Sequence, residues 1–144
     1  MTEKHWIDSL KASRLMRSRE EVNAFENALF QLAENPKNDD LPALHLIFDD
    51  RCQQPEVMFG LVHLLESFAL EEQLQAFVAI VPELITVAPD WTKILHSRIL
   101  NDKEACRLYR DKLHSANASS PHFIRQLLEE SVIYRLTQFD AIAS

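Results

Sequence analysis

The sequence predicts an all-α protein, an irregular HEAT-like stack of about eight or nine short antiparallel helices. Three observations predict it. One glycine and six prolines in 144 residues leave few β-turn signals, and no apolar–polar alternation bounded by Gly or Asn-Gly is present. Apolar residues instead recur at i, i+3, i+4 and i+7. Pro, Asn and Asp punctuate these stretches at helix length. No clean sequence period is visible, so no repeat length is assigned. The length fits a single domain over residues 1–144, enough to bury about 70% of the unfolded chain's surface.

Glu3 to Met16 reads as the first helix, with Trp6, Ile7, Leu10 and Leu15 inward. Ser18 to Glu21 has capping-box form and opens a second helix to about Glu34, with the face Val22, Phe25, Leu29, Phe30 and Leu32. Asn35-Pro36 stops it. Lys37 to Asp40 is a polar loop, and Asp40 is a plausible cap for a short helix from Pro42 to Phe48. Pro55 suits the first turn of the fourth helix, and Glu56 lies near its positive end. Val57, Leu61, Leu64, Leu65 and Phe68 form its buried stripe, widened by Met58 and Val62. The fifth helix begins near Leu70, with Glu71 and Glu72 in its first turn and Leu74, Phe77, Val78 and Val81 inward. Pro82 is expected to break or kink it, leaving a short sixth helix with Leu84, Ile85 and Val87. Pro89-Asp90 ends that helix and caps the next, whose face is Trp91, Ile94, Leu95, Ile99 and Leu100. Another runs from about Lys103 to His114, with Ala105, Cys106, Leu108, Tyr109 and Leu113 apolar. Ala116 to Ser119 is a small polar loop. Ser120-Pro121 caps a last helix carrying Phe123, Ile124, Leu127, Leu128, Val132, Ile133 and Leu136, with a frayed tail after Phe139.

Two features of the middle of the chain stand out. The single glycine, Gly60, falls at the centre of the fourth helix, where it costs about 1 kcal/mol relative to alanine. Something must approach it closely. A neighbouring helix of the same chain is the preferred occupant; the alternative is a partner lying against Glu56, Gly60 and His63, which share a stripe. Asp49 and Asp50 follow the third helix, where they oppose its dipole unless Arg51 or a cationic partner offsets them. They are either a solvated loop pair or an anchor for basic groups.

Net charge is −7 and uneven. Residues 1–33 carry five acids and five bases; residues 34–90 carry eleven acids against Lys37 and Arg51; residues 91–144 carry six acids and eight bases. An acidic middle argues against nucleic acid as a partner and suits a basic protein. Met1 to Ser18 lacks the apolar core of a signal peptide, and no apolar run is long enough for a membrane span. Two cysteines give neither a disulfide framework nor a metal spacing, as in a reducing, cytosolic setting.

The residues for catalysis are not in their usual patterns. A single glycine excludes a P-loop or dinucleotide fingerprint. His63, His96 and His114 lack HExxH, CxxC or ExxH company, so no metal is expected. Ser67, Ser97 and Ser131 lie within helices without a GxSxG elbow. Cys106 reads as a small core residue, and Cys52 as a loop thiol that is either merely exposed or reactive beside Arg51. Arg98 and Asn101 share a face and read as a pair closing a helix end, or as recognition contacts with His96. No catalytic residue and no cofactor are assigned.

The acidic pair Asp49-Asp50, the run from Glu56 to His63 (EVMFGLVH) and Arg98-Ile99-Leu100-Asn101 together resemble the immunity protein 30 family of bacterial polymorphic-toxin and contact-dependent growth inhibition systems, over about Leu41 to Asp102. The resemblance implies an all-helical cytoplasmic protein that binds a cognate toxin domain and blocks it. Such toxins are often nucleases, basic because their substrate is a polyanion, and an acidic middle segment complements that charge. On this reading the toxin contacts are Asp49, Asp50, Glu56, Glu71 and Glu72, with His63 as a further candidate. The partner is a protein, with no direct nucleic acid and no membrane. The competing reading is a HEAT-like adaptor for another partner, with a more apolar and less salt-sensitive interface.

Overall fold

The computed structural model describes residues 3–115 and 122–143. Among them are eight α-helices, a 3-10 turn at Asn38–Asp40, and no strand. The helices are α1 (Glu3–Ser13), α2 (Arg19–Glu34), α3 (Leu41–His45), α4 (Pro55–Glu66), α5 (Leu70–Val87), α6 (Pro89–Leu100), α7 (Lys103–Ser115) and α8 (His122–Ala143). The all-α expectation holds.

Most boundaries follow the local chemistry. The Ser18 hydroxyl caps α2 by accepting the Glu21 N–H at 3.2 Å. The reciprocal bond of a capping box shifts by one residue: the Glu21 carboxylate takes the Arg17 N–H at 2.8 Å. Pro55 and Pro89 stand in the first turns of α4 and α6.

Several expectations are corrected. α1 stops at Ser13, because Met16 adopts a left-handed φ of 50° while staying buried. α3 is a helix of five residues; Ile47 and Phe48 leave it in a turn yet remain buried, and Asp40 makes no side-chain cap bond to it. α5 runs unbroken through Pro82, so the expected sixth helix is its last turn. Buried Val78, Val81 and Leu84 on either side hold that helix where the proline removes one backbone bond. Asp90 does not cap α6; Ala88 both ends α5 and precedes α6. Phe30, Val87 and Ile133, expected inward, are 63%, 54% and 52% exposed. Around Phe30 the inward stripe is already filled by Phe25, Ala28 and Leu32. α8 continues to Ala143, past the expected fraying point at Phe139. Its Leu128, Val132 and Leu136 are buried. The polar loop from Ala116, the Ser120-Pro121 cap, and the side chains of Phe123, Ile124 and Leu127 lie outside the described residues.

The helices stack with a regular offset. Glu66 on α4 bonds Arg98 on α6, 32 positions later. Phe59 meets Trp91 at the same offset, and so do His45 with Phe77 and Phe77 with Tyr109. Leu29 meets Gly60 one residue short of it. Val22 and Asn23 share a groove with Gln53 and Gln54, so the starts of α2 and α4 lie together. A constant offset means that α2, α4 and α6 run parallel in one layer. In the second layer α3, α5 and α7 pack in succession, and Lys112 of α7 reaches back to Glu71 and Gln75 near the start of α5, so no constant offset joins those two helices. α1 packs along α2, and α8 along α7. The core between the layers includes Phe25, Phe48, Met58, Leu61, Phe77, Leu84 and Tyr109.

Candidate functional site

The six residues expected to contact a partner fall in three places. Asp49 is inside: it is 7% exposed, and its carboxylate accepts bonds from the Arg51 backbone N–H (2.9 Å), Arg51 Nε (3.1 Å), Arg51 Nη2 (3.0 Å) and Arg14 Nε (3.2 Å). The bonds from Arg51, opposed by burial, hold its carboxyl below the ordinary carboxylate range. Arg51 therefore offsets the charge as expected, with help from Arg14 on the segment after α1. Asp50 reaches across to α6, accepting the backbone N–H groups of Asp90 (2.9 Å) and Trp91 (3.1 Å). It caps a helix 40 positions away and meets the positive end of that dipole. Both carboxylates of the pair are thus engaged within the chain.

Glu56 and His63 are exposed on α4, seven residues apart on one ridge. Gly60 lies beside that ridge toward α2. A Cβ there would stand 2.9 Å from Leu29 Cδ1, so the helix glycine serves the approach of α2, the preferred reading of its sequence position. On the other flank Phe59 packs edge-on against Trp91 at 5.2 Å and lies 6.5 Å from the His63 ring. Trp91 in turn meets buried Phe48 in a tilted contact at 5.3 Å. An aromatic chain therefore runs from the core out to His63.

Glu71 and Glu72 are exposed on α5, in the other layer. Glu71 pairs with Lys112 of α7 at 3.1 Å. The structure does not bring them together with Glu56 and His63.

The remaining polar candidates have structural partners. Arg98 forms a two-pronged pair with Glu66, both bonds at 2.7 Å. Asn101 accepts a bond from Arg135 at 3.3 Å. His96 meets the buried Tyr109 hydroxyl at 2.9 Å, and burial lowers its pKa to about 4. Cys52 is half-buried, and that burial pushes its thiol up, away from the reactive thiolate. Cys106 is buried, as expected.

One buried group had no sequence signal. His45 is 3% exposed, its Nδ1 bonds the Leu41 carbonyl at 2.8 Å, and burial lowers its pKa to about 4. The Asp50 cap had no local signal either, since its partners come from a distant helix.

No described helix is long and apolar enough to cross a membrane. No curated protein and no solved structure matches the chain. The family model described as Immunity protein 30 matches residues 12–109, a wider span than the motifs at Asp49, Glu56 and Arg98 mark. It takes in α2 to α6 whole and α7 as far as Tyr109. Matched over more than half its length, the chain belongs to the immunity protein 30 family.

Proposed function

We propose that this protein is a cytoplasmic immunity protein that binds a cognate toxin domain, in a contact-dependent growth inhibition or related system, and neutralises it by stoichiometric occlusion. Family membership carries the reading. The toxin is a basic nuclease on this reading, and occlusion sets acidic side chains against the lysines and arginines that otherwise hold a nucleic acid. The excess of acids over bases in residues 34–90 supports that pairing. Among the expected contacts, Glu56, His63 and Glu72 are exposed and available, and Glu71 is exposed beside Lys112. Asp49 and Asp50 serve the interface by holding the segment between α3 and α4 in place.

Growth rescue tests this function. The C-terminal fragment of the protein encoded immediately upstream is expressed in a sensitive host, with and without this chain. Rescue together with co-elution on a sizing column is the expected result. A toxic fragment that this chain neither rescues nor binds removes the reading.

A further inference from the structure

We infer that the toxin domain docks on the outer face of the α2–α4–α6 layer, with Phe30 as the central anchor. The inference rests on the function proposed above and adds which face is used.

Four observations place it there. Phe30 is a large apolar side chain left 63% exposed in the middle of a helix. The inward side of α2 is fully accounted for by Phe25, Ala28 and Leu32, and Leu29 fills the approach to Gly60. A turn of about 100° per residue then points Phe30 outward, on the side that carries the Glu56–His63 ridge of α4. Next, the parallel offset sets Glu26 level with the first turn of α4, near Glu56, and Glu34 level with its last turn, near His63.

Third, this face carries carboxylates that no ion pair engages. Among the described residues, none of Glu26, Glu34, Glu56 and Asp90 takes part in an ion pair. Its cations are Arg19, Lys93 and Arg98, the last held by Glu66. Fourth, the other layer is less suited to a basic partner. Its Glu71 is already paired with Lys112, and the groove at its edge is lined by Lys11, Arg14 and Arg51 as well as Asp49 and Glu83. An aromatic side chain ringed by unpaired carboxylates has the anatomy of an interface centre and its polar rim. The occupant it complements is a basic protein surface that has an apolar recess for Phe30.

The test compares three full-length variants with the wild type for binding to the purified upstream-encoded toxin fragment. The variants are Phe30→Asp, the pair Glu26→Lys/Glu56→Lys, and the pair Glu83→Lys/Glu104→Lys on the other layer. All the altered side chains are exposed, and circular dichroism and thermal melts verify the folds. Phe30→Asp should weaken binding by about 30-fold or more, as expected of an anchor residue. Glu26→Lys/Glu56→Lys should slow association about tenfold at low salt. Glu83→Lys/Glu104→Lys should stay within about twofold of wild type. A toxin fragment that binds wild type and the first two variants equally overturns the docking face while leaving the proposed function standing. Loss confined to the Glu83→Lys/Glu104→Lys variant moves the site to the other layer. A change in the oligomeric state of the free Phe30→Asp variant assigns Phe30 to self-association and overturns the proposal. Failure of the wild type itself to bind removes both readings.

Discussion

Within the two layers the helices are joined by different chemistry. In the α3–α5–α7 layer the joints are His45, Phe77 and Tyr109, three buried rings spaced 5.9 Å apart in succession. In the α2–α4–α6 layer the corresponding joints are a glycine against a leucine, a half-buried phenylalanine against a tryptophan, and an exposed ion pair. The first layer is fastened by buried rings. The second is fastened partly at its surface, which leaves whole ridges facing outward. One layer supplies stability, and the other has side chains to spare for recognition.

The largest effect that separates the layers is truncation of the ring ladder. Phe77→Ala should cost about 3–5 kcal/mol in urea unfolding, because it leaves a cavity between two other rings. Phe30→Ala, in the other layer, should stay within about 0.5 kcal/mol. Equal losses would erase the division of labour.

Acid should act on the same ladder. His45 belongs to it, and His96 bonds its Tyr109. Both are held neutral in the fold, with pKa lowered to about 4 by burial, against about 6.5 when unfolded. Between those values the unfolded chain binds more protons, so stability rises with pH. It is fully present above about 6.5 and is lost as pH falls toward 4, by up to about 3 kcal/mol for each histidine. Asp49, with its lowered pKa, adds a loss in the same direction at still lower pH. Urea midpoints measured from pH 7.5 to 4.5 should show the decline, and a His45→Gln variant should show a shallower one. An unchanged slope would mean that His45 is not held neutral.

The smallest effect sits at the joint that ties the loop after α3 to α6. Asp50→Ala removes a cap and should cost about 1 kcal/mol. Hydrogen exchange should quicken at the Asp90 and Trp91 amides before it does elsewhere. Unchanged exchange there would show that the cap is dispensable.

How far these features were readable depended on the range of each interaction. Caps and prolines act within a few residues, so the starts of α2, α4 and α6 were legible from Ser18, Pro55 and Pro89. The close neighbour of Gly60 was legible as well, because glycine inside a helix has few other uses. The ridge of Glu56 and His63 followed from helical spacing alone. The offset of the α2–α4–α6 layer was not legible, since its equivalent positions carry unlike residues: Phe59 and Trp91, or Glu66 and Arg98. An ion pair even requires its two positions to differ. The apolar character of Phe30 predicts an inward position, although its neighbours already fill that side. Asp49 and Asp50 suggested a partner's basic groups, whereas Arg14 and the N-terminus of α6 reach them from 35 and 40 positions away.

Ala88 sets how such a chain can diversify. It is the only residue between α5 and α6, so the two helices share a joint without slack. One inserted residue would turn α6 by about 100°. Trp91 would leave Phe59, Arg98 would leave Glu66, and the Asp50 carboxylate would lose both amides. Length changes are therefore barred at this point, while substitutions along the outer ridges disturb no joint. A lineage that has to follow a changing adversary would do so here by point replacement on a frame of fixed length.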